Sequence, residues 1–172
     1  MRMMVMHRAV IVLAFLALAS TPLRGQTGDS SSWMRRPEIR SIRAIVTSVD
    51  TSVALRRFVE RDTTVACDGG DVSFEITSHT DSQHIVRRIH FRGGSGDSAH
   101  DLTYYYDPQG RLRFAFAGRG AVNGTQEEER VYYDVQGKVI HRDVRQIEGP
   151  GYPWEVIDAI TDPNSWLRNP CD

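Results

Sequence analysis

Cysteine is scarce in this chain. Of 172 residues only Cys67 and Cys171 carry a thiol. No Cys-x-x-Cys, His-x-His or His-Glu-x-x-His spacing occurs, so the usual zinc ligand sets are missing. His84 and His90 would share one strand face but stand roughly 20 Å apart at full extension, too far to hold one ion. The expectation is therefore no metal and no cofactor. Positive charge is not in excess either. The 21 lysines and arginines face 22 aspartates and glutamates, which argues against general nucleic-acid binding.

Catalytic loop motifs are also lacking. Gly93-Gly94-Ser95-Gly96-Asp97-Ser98 has no Lys-Ser/Thr ending to contact phosphates. It stands between strands, away from any strand-to-helix turn that would present a Gly-Asp-Ser nucleophile. Ser98 and His100, two apart on a strand, would have Cα atoms ~6.6 Å apart, which hinders a direct Ser–His bond. A flexible hairpin loop is the reading that remains.

Long apolar runs are absent after Ala19. Before it, Met1–Arg8 carries Arg2 and Arg8, and Ala9–Ala19 is unbroken and uncharged. Pro22, Gly25 and Gln26 follow, completing the layout of a secretory signal peptide whose apolar run is too short to span a bilayer. Cleavage is expected after Gly25, with Ala19 the second choice. No cysteine lies near that point, so a lipid-anchored form is not expected, and no span remains once the signal is removed. Loss of Arg2, Arg8 and Arg24 leaves 18 basic and 22 acidic residues, a net charge of −4. The expected organisation is a signal peptide over 1–25, a disordered tether over 26–36 and one domain over 37–172. An even cysteine count in an oxidising compartment favours a Cys67–Cys171 disulfide over free thiols.

The domain is organised around Leu102–Val144. Tyr105-Tyr106-Asp107-Pro108-Gln109-Gly110-Arg111-Leu112 recurs as Tyr132-Tyr133-Asp134-Val135-Gln136-Gly137-Lys138-Val139. Asp-Pro-Gln-Gly suits a type I turn closed by Gly in the left-handed region, which makes each copy a β-hairpin. In this register Tyr106 faces Leu112, Tyr104 faces Phe114 and Leu102 faces Phe116, all on one buried face. The second copy then pairs Tyr133 with Val139, Val131 with His141 and Glu129 with Asp143. Upstream, Ile42, Ile45, Val46, Val49 and Val53 keep helical spacing from Pro37, and Leu55, Phe58 and Val59 continue it. Val72–Thr77 reads as the first strand, Gln83–Arg92 alternates, and Asn123-Gly124 is a turn. Trp154, Val156, Ile157 and Ile160 suggest a short last helix starting at Pro153. The fold class is α+β: an N-terminal amphipathic helix packed on one face of an antiparallel meander of about six strands, then a short C-terminal helix.

Two clusters are candidates for chemistry. His141 with Glu129 and Asp143 places an imidazole between carboxylates, the arrangement of a general base. On the opposite, solvated face, Tyr105, Arg113, Arg130, Tyr132 and Arg142 form a basic, aromatic surface suited to an anionic or sugar-bearing ligand.

Ile42-Arg43-Ala44-Ile45, Asp68-Gly69-Gly70 and the paired Tyr-Tyr hairpins resemble a loose group of small exported bacterial proteins of unknown function. Those carry Tyr-Tyr-x strands closed by a Gly-Lys/Arg-Leu/Ile turn. The long YD-repeat surface proteins have similar units, but two copies fall well short of such an array. The resemblance implies export and no particular site residue. The first expectation is a monomeric, non-enzymatic periplasmic or extracellular module that binds an envelope protein or glycan through its sheet face or loops. A small hydrolase or acid–base enzyme centred on His141 is the second reading, and a structural envelope component the third.

Overall fold

The computed structural model describes residues 32–67 and 72–171. The expected signal peptide, residues 26–31 of the expected tether and the Asp68-Gly69-Gly70-Asp71 turn lie outside the described residues. The rest of that tether belongs to the domain. Trp33–Arg35 forms a 3-10 turn, and the Trp33 ring stacks 4.0 Å from His141 and meets Tyr132 edge-on at 5.5 Å.

Helix α1 spans Pro37–Ala54 with Pro37 in its first turn and Ile39, Ile42 and Val49 buried. It runs unbroken through Asp50-Thr51-Ser52, where the Thr51 and Ser52 hydroxyls bond back to the carbonyls of Thr47 and Ser48. The helix does not continue to Val59 as the spacing predicts. Arg56 takes a φ of 52°, and the amides of Arg56 and Arg57 return to the carbonyls of Val53 and Ser52. This is a Schellman stop.

Seven strands follow in one antiparallel sheet, each hydrogen-bonded to the next in chain order. They are β1 Val59–Cys67, β2 Val72–Thr80, β3 Val86–Gly94, β4 Ser98–Tyr106, β5 Leu112–Ala121, β6 Gln126–Tyr133 and β7 Val139–Glu148. The additional strand is β1. Its run of Glu60, Arg61, Asp62, Thr63 and Thr64 is exposed, so it lacks the apolar alternation of a half-buried strand. It is an edge strand whose charges suit that place.

The predicted turns form, but the registers shift by one residue beyond them. Tyr106 faces Leu112 as expected, whereas Tyr105, not Tyr104, faces Phe114, and Leu102 faces Ala117. Arg113 is the extra residue of a β-bulge. The second hairpin repeats this: Tyr133 faces Val139, then Ile140 bulges and Tyr132 faces His141. A one-residue shift moves every later side chain to the other face. A third copy was hidden in the sequence. Thr80 faces Val86, Arg87 bulges and His79 faces Arg88, around Asp81-Ser82-Gln83-His84. In all three turns the Asp carboxylate accepts the backbone N–H groups two and four residues on. His84, with φ 62°, occupies the place that Gly110 and Gly137 hold at 75° and 82°.

The sheet is buried on both faces, not one. Against α1 lie Tyr105, Phe114 and Tyr132. On the other side Ile76, Ile89, Tyr104, Tyr106, Leu112, Val131 and Tyr133 pack under Ile157 and Ile160. Consecutive tyrosines are what a strand covered on both faces requires. The cover on that second side is residues 149–162, an extended strap where the sequence suggests a helix. A single-turn helix, α2, comes later at Pro163–Trp166, where Asp162 caps the amides of Asn164 and Ser165. The Tyr106 hydroxyl donates to the Ile160 carbonyl at 3.0 Å. The Cys67–Cys171 disulfide forms, closing a sequence separation of 104 residues and tying the chain end to β1.

Candidate functional site

The bulges decide where the sequence-predicted residues fall. His141 and Asp143 lie on the α1 face, opposite Tyr132 and Arg130. Glu129 lies on the strap face with Val131, so the expected cluster is divided by the sheet itself. Glu129 accepts Arg119 Nη2 at 3.0 Å and Arg142 Nε at 3.1 Å. Asp143 pairs with Arg145 at 2.9 Å. The stacked His141 ring is held below the ordinary imidazole range by burial, aided by Arg36 and opposed by Asp143.

The predicted basic, aromatic surface is also not one surface. Tyr105 and Tyr132 are buried under α1, and the Tyr105 hydroxyl donates to Asp50 at 3.0 Å. Arg113 is buried at its bulge, where its Nε donates to the Tyr133 carbonyl and its Nη1 lies 3.5 Å from Asp107. Arg130 sits 5.2 Å from the Phe116 ring centroid and pairs with Glu128. Arg142 emerges on the opposite side, with Glu129. A wet outer face was expected because alternation was read as one-sided. The bulges and α1 fill it instead.

A concave site exists on the strap face. Its near wall is the start of the strap, fixed at several points. The Gly151 amide donates to Thr125 Oγ1, and Asn123 Nδ2 donates to the Gly151 carbonyl. Asn123 thus serves the turn, as its Asn-Gly dipeptide suggests. The Tyr152 hydroxyl donates to Asp97 Oδ2 at 2.7 Å, while Ser95 Oγ donates to Asp97 Oδ1. The Gly-rich loop is therefore a clamp for the strap. Those two bonds, from Ser95 first, hold the Asp97 carboxyl below its usual range.

Beyond Tyr152, the Trp154 ring lies 4.3 Å from it and meets His100 edge-on at 5.3 Å. The Arg119 guanidinium sits 5.8 Å from the Trp154 ring centroid, a cation–π distance. Between strap and sheet is a cavity of about 440 Å³, within the size range of small-molecule sites. Phe91, Leu102 and Tyr104 form its floor, and Trp154, Ile157 and Trp166 its far wall. His100, Arg119 and Asp158 supply polar groups. Burial, helped by Arg119, lowers the His100 pKa and so favours the neutral ring. Burial raises the Tyr104 phenol, so it remains a donor.

Arg119 is the most committed polar residue of this wall. It bridges Glu127 at 3.1 Å and Glu129 at 3.0 Å. Its Nε and the indole Nε1 of Trp154 are buried without a hydrogen-bond partner. Unmet donors of this kind cost about 1–3 kcal/mol each. Arg119, Trp154 and the cavity carry no motif in the sequence. The spacing around Trp154 predicts a helix, although Gly149-Pro150-Gly151, Pro153 and the Asp162-Pro163 cap together favour an extended strap.

Among the described residues no group of three or more His, Cys, Asp or Glu side chains is placed to hold a metal ion, and no helix is long and apolar enough to cross a membrane. Compared with known proteins, the chain matches no family model, no curated protein and no solved structure.

Proposed function

We propose that this is an exported, non-enzymatic binding module that takes the ring of a neutral glycan into the cleft between sheet and strap. The observation that carries the reading is the convergence of Trp154, His100, Arg119 and Tyr104 on one 440 Å³ cavity. Flat aromatic walls suit the C–H faces of a sugar ring, while the polar groups suit its hydroxyls. Arg119 is already matched by Glu127 and Glu129, and Glu155 and Asp158 also line the site. Negative charge predominates there, which disfavours an anionic ligand. The Cys67–Cys171 bond and the signal-like N-terminal segment support export.

A glycan array tests this with the wild-type chain and Trp154→Ala. Capture of neutral glycans by the wild type, lost in the variant while its unfolding temperature stays near wild type, is the expected result. Equal capture by Trp154→Ala, or no neutral glycan captured by the wild type, would overturn the reading.

A further inference from the structure

Helix α1 carries a second feature, unrelated to the cleft. Arg36 at the N-cap and Arg40 and Arg43 in the first turns follow one another at spacings of four and three, so they sit on one side at the start of the helix and cover about 10 Å. All three are exposed, and none makes an ion pair among the described residues. Ile39, Ile42 and Val49 occupy the buried side. Like charges at these spacings repel, and cations near a helix start oppose its dipole. Local stability therefore does not account for the arrangement.

Arg43 acts electrostatically on Tyr132, and Arg36 on His141, so the ridge lies over the sheet beneath α1, whose own Arg130 and Arg145 are balanced by Glu128 and Asp143. The carboxylates nearby are fewer: Glu128 and Asp143 are engaged by Arg130 and Arg145, and Glu38 stands alone in the first turn. The whole chain carries a net charge of −1, so this ridge is a local reversal of sign. It is a convex helix side, suited to a plane. Ala44, Thr47, Ser48 and Thr51 continue the exposed side, and none is a large apolar residue that would insert into hydrocarbon.

We propose that the Arg36–Arg40–Arg43 ridge docks the domain electrostatically on an anionic lipid surface, with α1 lying against the headgroups. This leaves the cleft, on the opposite face of the sheet, turned away from the bilayer. Each arginine near such a surface contributes about a fivefold gain in partitioning, so three contribute on the order of 100-fold. Screening makes the attraction salt-sensitive.

The test is co-sedimentation of the protein with phosphatidylcholine vesicles, with and without phosphatidylglycerol, at low and high salt. Binding to the mixed vesicles alone, abolished by salt, is expected. R36Q/R40Q/R43Q should lose on the order of 100-fold with an unchanged circular dichroism spectrum. R57Q/R61Q/R168Q, which removes three exposed arginines elsewhere, should bind as wild type. Equal losses in the two triple variants would reduce the effect to bulk charge and overturn the ridge. Failure of the wild type on the mixed vesicles, or binding to soluble polyphosphate but not to vesicles, would overturn the lipid surface. None of these outcomes bears on glycan capture, which Trp154→Ala reports separately.

Discussion

Replacing Glu129 by Gln removes one charge from the best-buried ion network among the described residues. The Glu129 side chain is 3% exposed and accepts Arg119 and Arg142; the Arg119 side chain is 5% exposed. A charged hydrogen bond contributes roughly 1.5–3 kcal/mol, and breaking a buried pair costs about 3–5 kcal/mol. Glu127 still holds Arg119 from its other side, and Arg142 can turn to water. The lower end applies, about 3 kcal/mol, which lowers the unfolding temperature by roughly 10 °C for a domain of this size. Urea and thermal unfolding followed by circular dichroism measure it. A cycle with Arg119→Met sharpens the test. If the cost arises from leaving Arg119 buried and under-paired, E129Q/R119M should cost less than the two single changes summed. A loss below about 1 kcal/mol for E129Q, or strict additivity in the cycle, would mean that Glu129 does not hold Arg119 as a buried pair.

Other predictions rest on the turns and the strap. His84→Gly should stabilise by about 0.5–1 kcal/mol, since His84 holds a left-handed conformation that glycine adopts freely; Gly110→Ala and Gly137→Ala should destabilise by more, about 1–2 kcal/mol each. Chemical denaturation measures all three. Asp107 is buried, which alone would raise its pKa, but the Arg111 side chain and the amides of Arg111 and Gln109 outweigh this and hold the carboxyl below its usual range. Its folded pKa is depressed, so its contribution is complete above the ordinary carboxylate range and lost as pH falls through the folded value. Asp107→Asn should therefore flatten the acid limb of the stability–pH curve and cost least at the lowest pH. Removing the Cys67–Cys171 link should cost about 4–5 kcal/mol in the chain-entropy view. Hydrogen exchange should then show the strap amides opening before those of β4–β6.

Local chemistry was legible wherever it is set by a few adjacent residues. Pro37 and the spacing of Ile42, Val49 and Val53 marked α1. Asp107-Pro108-Gln109-Gly110 and its second copy marked two turns with correct first pairs, and two cysteines sufficed for the disulfide. The third turn escaped because His84 replaces the glycine that makes the other two recognisable. The registers failed beyond the first pair because a bulge leaves no apolar signature when both faces of a strand are buried. Tyr104 and Tyr105 each point to a hydrophobic layer, so either parity looks sound. That single shift separated His141 from Glu129. The cleft was illegible for another reason. Its residues come from β3 to β5 and a strap without periodicity, and only the packing of the strap brings Trp154 to His100 and Arg119.

Tryptophan distribution offers the most direct test of the cleft as a glycan site. Trp154 and Trp166 line the cavity, whereas Trp33 stacks on His141 on the α1 face. Titrating nitrogen-15-labelled protein with the neutral glycans captured on the array, and following the three indole N–H signals, separates the faces within one sample. Saturable shifts of Trp154 and Trp166 with Trp33 unmoved are expected. Shifts confined to Trp33, or no movement of Trp154 at saturating glycan, would contradict the glycan site.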